Sequence, residues 1–323
     1  MVSLGLLLTR NHRLLSIAAM LDMFETINRF YVSAEQEPKF EISLFYPGEQ
    51  QPPGYSSHQL FPISSARQLN LILIPAFSTQ EISISLQANS DCIPWLKTQY
   101  AGGAELASFC TGAFLLAASG LLNGKPATTH IHSALAFQKN YPDVELRASE
   151  VLTHSEGVFT SGGATNTFHL LLLLVELHCD REKAVQAAKY FAIDMDRHKQ
   201  AYFGVFEPIL NHRDELVSSV QRKIEKSFSD NTTIEEMLVD IPASRRNIVR
   251  RFKLATNCTP IEYLQKTRIE AAKKMLEQTN NTILEVMMDC GYNDLKAFRQ
   301  LFRRSTGMTP TSYREKFGFR MTA

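Results

Sequence analysis

The final third of this 323-residue chain repeats itself at an interval of 50 residues. Phe252 matches Phe302, Lys253 matches Arg303, Thr256 matches Thr306, Thr259-Pro260 matches Thr309-Pro310 and Tyr263 matches Tyr313. Ile248 and Phe298, both large and apolar, fall in the same register. Similarity at a fixed offset marks a duplicated supersecondary unit. Each copy reads as a short amphipathic helix, a tight turn, a basic helix and a Thr-Pro stop. In the first copy, residues 234–240 form the opening helix and Ile241-Pro242-Ala243 turns the chain. Ser244 is placed to cap a basic helix over 245–255, because its hydroxyl can accept from the free N–H groups of the first turn. In the second copy, residues 283–290 precede the turn Gly291-Tyr292-Asn293, and Asp294 sits at the cap of a helix over 295–305.

Helical spacing sorts the side chains of both basic helices. Ile248, Phe252 and Ala255 lie at i, i+4 and i+7 and face inward, which leaves Arg245, Arg246, Asn247 and Arg250 outside. In the second helix Phe298, Leu301 and Phe302 face inward, and Lys296, Arg299, Gln300, Arg303 and Arg304 remain outside; Leu295 opens this helix. Two helices joined by a short turn, the second one basic, form a helix-turn-helix. The DNA major groove admits one helix, and Arg, Asn and Gln forks match base edges. Lys and Arg at the margins neutralise phosphates and release counterions. A single such unit is a common core element, whereas two copies with matched basic helices point to double-stranded DNA. A helix over 261–277 is placed to hold the copies rigidly. Recognition helices entering one face of the duplex lie about 34 Å apart.

Charge supports the division. The whole chain carries a net +1, but residues 1–213 hold 15 Lys and Arg against 19 Asp and Glu, and residues 214–323 hold 19 against 14. A basic segment on an acidic partner suggests a polyanion for the basic part alone. The bland alternative is a solvated helical face. Five cysteines without paired spacing give no disulfide framework and no zinc pattern, which fits a reducing cytoplasm. The run from Phe168 to Leu177, broken by His169 and Glu176, is too short to span a bilayer. Residues 1–8 have no basic start and no small-residue cleavage pattern, and read as a buried first strand rather than an export signal. No metal, cofactor or membrane partner is expected.

The texture of the first half differs. Residues 4–9, 42–46, 69–75, 106–110 and 158–161 read as buried strands, and residues 16–29, 87–100, 112–122 and 165–178 as helices. Strand and helix in alternation imply an α/β domain, a flavodoxin-like parallel sheet covered on both faces, ahead of an all-α domain with two helix-turn-helix units. The junction falls near residues 202–214, where Gly204, Pro208 and Asn211 interrupt the pattern. The expected domains are 1–203 and 214–323. Within the first, Leu106-Ala107-Ser108-Phe109-Cys110-Thr111-Gly112 runs from strand to helix with Cys110 at the junction, the geometry of a nucleophile elbow. His130 is the natural candidate base. The plain alternative is a small buried cysteine beside a satisfied histidine.

Residues 216–317 resemble the AraC/XylS-type DNA-binding domain. The match rests on Gly291-Tyr292, Phe298, Phe302-Arg303, Gly307-Met308-Thr309-Pro310 and Tyr313-Arg314, with Ser244, Arg246, Arg250 and Phe252 in the first unit and Pro260, Tyr263-Leu264 and Arg268 in the linking helix. The resemblance implies a transcription regulator reading two adjacent major-groove segments. Gln300 stands where the second recognition helix often has Arg, so the base preference there is not carried over. Asn257 replaces the usual Gly at the end of the first recognition helix, where Asn can adopt positive φ.

Residues 1–180 resemble the class I glutamine-amidotransferase-like fold of PfpI-type proteins, in the version fused to AraC-type domains (the GlxA-like regulators). The matching pieces are Asp22-Met23-Phe24-Glu25, Leu71-Ile72-Leu73-Ile74-Pro75, the elbow with Gly120-Leu121-Leu122, Ala127 to His130, and Thr160-Ser161-Gly162-Gly163; Arg197, Gln200 and Phe203 resemble the connector. Departures argue against catalysis. Ser16 stands where the enzymes place a carboxylate. Pro75-Ala76-Phe77-Ser78 replaces their Gly-Gly oxyanion hole. His169 stands where the regulators usually have Asp. The old cleft therefore reads as a pocket for a small-molecule effector, with Asp22, Phe77, Cys110, Thr111 and His130 as wall residues, and the resemblance implies a homodimer. A cysteine-dependent hydrolase or amidase, or a redox sensor at Cys110, is the alternative.

Overall fold

In the computed structural model the chain divides into two compact units, Met1–Gln200 and Ala201–Ala323. Residues 1–55, 57–65, 67–77, 82–195, 200, 204–206 and 208–318 are described, apart from the side chain of residue 164. Ser78, Arg197 and Phe203 lie outside them.

The first unit is built on a seven-stranded sheet. Its strands are β1 (Val2–Leu7), β2 (Phe40–Tyr46), β3 (Gln59–Pro62), β4 (Leu71–Ile74), β5 (Glu105–Phe109), β8 (Leu152–Ser155) and β9 (Val158–Ser161), in the order β3-β2-β1-β4-β5-β9-β8. Between β5 and β8 the short strands β6 (Pro126–Ala127) and β7 (Glu145–Leu146) pair separately. All four residues of β4, Leu-Ile-Leu-Ile, are buried, the continuous apolar pattern of a strand covered on both faces. Helices α1 (Leu14–Ser33), α6 (Thr167–His178) and α7 (Arg181–Tyr190) form one core with the sheet, around Met20, Phe24, Phe159 and Leu174. A second core, around Phe45, Trp95, Phe114 and Phe137, is shared by α3 (Cys92–Ala101), α4 (Ala113–Ala118) and α5 (Ala134–Asn140).

The sheet is parallel except at one edge, where β8 runs antiparallel to β9. Sequence reading missed β3 and β8: both are four-residue edge strands with little continuous apolar pattern. The helix expected over 87–100 is two helices, α2 (Ile82–Ala88) and α3, because Asn89 turns its side chain onto the Ser85 carbonyl and breaks the run.

The second unit is helical: α8 (Glu215–Ser227), α9 (Ile234–Met237), α10 (Arg245–Thr256), α11 (Pro260–Gln278), α12 (Ile283–Asp289), α13 (Leu295–Thr306) and α14 (Pro310–Phe317). The 50-residue repeat is visible atom by atom. The Thr256 hydroxyl donates to the Phe252 carbonyl at 2.7 Å, and Thr306 to Phe302 at 2.8 Å. Phe252 meets Tyr263 edge-on at 5.3 Å, and Phe302 meets Tyr313 at 5.4 Å. Tyr263 donates to Glu225 at 2.6 Å, and Tyr313 to Glu277 at 2.7 Å. Glu225 lies on α8 and Glu277 on α11, so α11 is both the last helix of the first copy and the first helix of the second. Each copy has its own core: Val220, Ile248, Phe252 and Leu264 in one, Ile269, Met287, Phe298 and Phe302 in the other.

Candidate nucleic-acid interface and candidate effector cleft

Local chemistry fixes both basic helices. Ser244 accepts from the Asn247 N–H at 3.4 Å, and Asp294 accepts from Lys296 and Ala297 at 2.8 and 3.0 Å. At the far ends Asn257 (φ 58°) and Gly307 (φ 81°) take the left-handed conformation that stops a helix. Ile248 and Phe252 on α10, and Phe298 and Phe302 on α13, are buried. That turns the polar faces to solvent. Arg245, Arg246 and Arg250 are exposed and Asn247 is half-buried; Lys296, Arg299, Gln300, Arg303 and Arg304 are exposed, with Leu295 half-buried. Ala255 and Leu301, expected to face inward, are only half-buried. Arg245 is held by the Glu235 carboxylate, and Arg250 donates to the Asn247 side chain at 3.3 Å. The sequence reading missed Arg251. Its guanidinium takes both oxygens of Asp214, the capping residue of α8, at 2.6 and 2.8 Å.

The segment before α8 packs within this second unit. Phe206 lies edge-on to Tyr263 at 5.1 Å, with the Lys266 ammonium over its ring. Gln221 donates to the Ile209 carbonyl at 3.1 Å and pairs with His212 at 2.7 Å. Lys273, buried on α11, donates to the Gly204 carbonyl at 2.5 Å.

In the first unit the elbow has its expected shape. Cys110 takes φ 56° between β5 and α4, a strained backbone for a non-glycine residue. Gly112 packs so closely on β4 that a Cβ there would stand 2.7 Å from the Ile74 carbonyl oxygen. Cys110 is only 3% exposed, and burial pushes its thiol up to about 11, against smaller lowering effects of Thr111 and Arg13. His130 is held below the ordinary imidazole value, first by burial and then by His132 and Arg13. Its Nδ1 accepts from the His132 N–H at 3.3 Å.

In the segment that stands in place of the Gly-Gly oxyanion hole, two N–H groups are already bonded within the protein. The Ala76 N–H donates to the Ser16 hydroxyl at 3.1 Å. The Phe77 N–H donates to Thr111 Oγ1 at 2.9 Å, and the Thr111 hydroxyl returns a bond to the Phe77 carbonyl at 2.8 Å. At the His169 position the ring Nε2 lies 2.9 Å from the Asp194 carbonyl oxygen.

A cleft of about 280 Å³ opens at this end of the sheet, lined by Arg13, Leu14, Leu15, Ser16, Ala76, Cys110, His130 and Thr167. Two of the expected wall residues, Cys110 and His130, line it. Three do not: Asp22 is exposed further along α1, and Phe77 and Thr111 are fully buried behind the wall and bonded to each other. The missed residues come mostly from the start of α1. Leu14 and Leu15 there are 74% and 56% exposed, an apolar pair with no place in the core pattern.

Gln200 sits beside the same wall. It is 1% exposed, and its side-chain oxygen accepts from the Gly163 N–H and from Asn166 at 2.9 and 3.0 Å. Its amide nitrogen lies within 3.1 Å of Thr128 Oγ1 and of the Thr129 and Ala148 carbonyls.

No helix among the described residues is long and apolar enough to cross a membrane. Among the same residues no group of three or more His, Cys, Asp or Glu side chains is placed to hold a metal ion.

Comparison with known proteins places both units. Residues 72–177 match the DJ-1/PfpI family, and residues 240–316 match a helix-turn-helix domain. The HTH-type transcriptional regulator GbdR of Pseudomonas aeruginosa is 26% identical over 235 residues, 72% of this chain and 64% of that protein. The HTH-type transcriptional regulator CdhR of the same organism is 27% identical over 227 residues, 69% of this chain and 66% of its own length. The chain thus spans just under two thirds of these relatives. A crystal structure from Vibrio parahaemolyticus superposes on 58% of this chain and 98% of its own with a TM-score of 0.51 and 19% identity, a likeness of fold. Two domain matches in one order, on a parallel sheet followed by paired helix-turn-helix units, show a DJ-1/PfpI-like domain over residues 72–177 and a helix-turn-helix domain over residues 240–316.

Proposed function

We propose that the chain is a sequence-specific DNA-binding transcription regulator whose N-terminal domain binds a small-molecule effector and is not an enzyme. One observation carries the DNA reading. The two basic helices, α10 and α13, belong to a duplicated scaffold, and each turns most of its Arg and Lys side chains to solvent while its aromatic side enters a core. Arg245, Arg246, Asn247 and Arg250 on α10, and Leu295, Lys296, Arg299, Gln300 and Arg303 on α13, are the residues assigned to adjacent major-groove segments.

The effector reading rests on the cleft. Its position at the carboxyl ends of parallel strands is where such sheets take ligands, and about 280 Å³ suits a small metabolite. Against catalysis stand the protonated, buried Cys110 and the Ala76 and Phe77 N–H groups committed to Ser16 and Thr111. A thiolate mechanism needs both an ionised sulfur and free donors for the oxyanion. A homodimer and a cytoplasmic location accompany this reading.

The test is selection of binding sites from a random duplex pool with the full chain, followed by titration on the enriched sequence at two salt concentrations. A sequence-enriched site with a steep salt slope supports the reading, and binding without enrichment overturns it. A thermal-shift screen of the same chain against small metabolites tests the cleft, since a ligand of the folded state raises the melting point.

A further inference from the structure

We propose that Arg268 is a positioning residue that fixes the separation and relative angle of the two recognition helices. It does so by clamping the loop before the first helix-turn-helix against the turn inside the second. The proposal rests on the DNA-binding reading above for its purpose, though not for its geometry.

The two copies have separate cores, joined covalently by α11. Leu264 belongs to the core of the first copy and Ile269 to that of the second. Arg268 therefore emerges at the boundary, where apolar packing gives way. It is 8% exposed, and its hydrogen bonds go to main-chain carbonyls: Nε donates to Phe228 at 2.7 Å, and Nη2 donates to Asp230 at 2.8 Å and Thr232 at 3.3 Å. Those three carbonyls span the loop from the end of α8 to Thr233, the residue that caps α9. The same guanidinium lies over the Tyr292 ring, 5.1 Å from its centroid. Tyr292 is in the turn between α12 and α13.

Gly291 brings that turn close. It has φ +76°, and a Cβ there would stand 2.6 Å from the Phe228 oxygen, 2.9 Å from the Asp230 oxygen and 2.9 Å from Arg268 Nη2. The turn of the second copy thus lies directly on the loop of the first, with one planar cation bonded to one side and stacked on the other. Lysine cannot replace it: an ammonium lacks both the fork and the flat face. Position 318, 50 residues on, is Gly, so the duplicated pattern does not require this arginine. It belongs to the joint between copies.

The experiment uses the full chain, Arg268→Lys, Tyr292→Leu and Gly291→Ala. Spin labels on exposed Lys253 and Arg304, attached through an unnatural amino acid that spares the native cysteines, report the distance distribution between α10 and α13 without DNA. A narrow distribution in the parent that broadens or shifts in Arg268→Lys and Tyr292→Leu is expected. Should one variant fail to fold, the other decides, because Tyr292→Leu keeps every carbonyl bond. On DNA sites selected by the parent chain, the distance between the two recognised segments is then varied one base pair at a time. Arg268→Lys should lose about tenfold of the preference for the best spacing, the order expected for a lost charged hydrogen bond. An unchanged label distribution in all variants overturns the proposal. So does a uniform loss of affinity at every spacing, which a merely structural role would give. If the parent chain selects no DNA, the regulator reading fails while the label distances still judge the clamp.

Discussion

Asp214 grips Arg251 with both carboxylate oxygens while it caps α8 by accepting from the Val217 N–H at 3.1 Å. One side chain thereby ties the start of α8 to the first recognition helix, immediately beside the exposed Arg250. The Arg251 guanidinium, and then the Val217 N–H, hold the Asp214 carboxyl below the usual carboxylate range. A depressed folded value contributes stability that is complete above the unfolded value near pH 4 and disappears as pH falls through the folded one. Asp214→Ala should destabilise the second unit by about 1 kcal/mol, chiefly from the lost cap. Denaturant unfolding at pH 7 checks the size. Repetition at pH 3 should show the gap between variant and parent closing; a gap independent of pH would show that the pair contributes nothing.

Arg250 and Asn247 are joined one turn apart on α10, which partly orders a donor on the exposed face of that helix. Arg250→Ala is expected to weaken binding to a selected site by about 1–3 kcal/mol and to relax the sequence preference at one position. Arg304→Ala, at the margin of α13, should instead lower affinity on all sequences and flatten the salt slope by about one unit. Fluorescence anisotropy on matched and scrambled duplexes distinguishes them. Full affinity in Arg250→Ala would remove α10 as the first reading helix.

The Cys110 thiol, raised to about 11 by burial, should resist alkylation at neutral pH and react appreciably only as pH approaches that value. Mass spectrometry of the iodoacetamide adduct against pH measures this directly. Rapid modification at pH 7 would restore the cysteine-enzyme and redox-sensor readings together. Loss of DNA affinity on peroxide treatment, abolished in Cys110→Ser, would single out the sensor.

Gln200→Ala would leave the buried Thr129 carbonyl, and the half-buried Gly163 N–H and Ala148 carbonyl, without their partner. Each unpaired group costs about 1–3 kcal/mol, so the first unit should melt several degrees lower. Calorimetry should show the drop in that unit's transition, with little movement in the other. A shift confined to the second unit would contradict the hydrogen bonding described for Gln200.

The sequence is most informative where chemistry is local and periodic. Phe252 and Phe302, Ser244 and Asp294, and the left-handed Asn257 and Gly307 are all readable from spacing and capping rules, and the helices they bound fall within a residue or two of expectation. The elbow at Cys110 is legible for the same reason: an apolar strand runs into a glycine-bearing helix start. What escaped depends on chain segments far apart in sequence. The motif places Asp22 on the first helix as a wall residue, yet only the start of α1, from Leu14 to Ser16, reaches the cleft. The motif places Phe77 and Thr111 beside the cleft, but the Thr111 hydroxyl is spent on the Phe77 main chain across 34 residues, and the Phe77 ring is buried in the second core. Nothing in the helical spacing singles out Arg251, and only folding brings it onto Asp214, 37 residues earlier.

A side chain with every donor and acceptor bonded cannot drift independently of its surroundings. Gln200 is such a peg, and it is driven into the strip of backbone that carries His130 and Thr167. The last described residue of the first unit is thus moored in that unit's interior. Displacing Thr129 or Asn166 would therefore cost Gln200 one of its bonds.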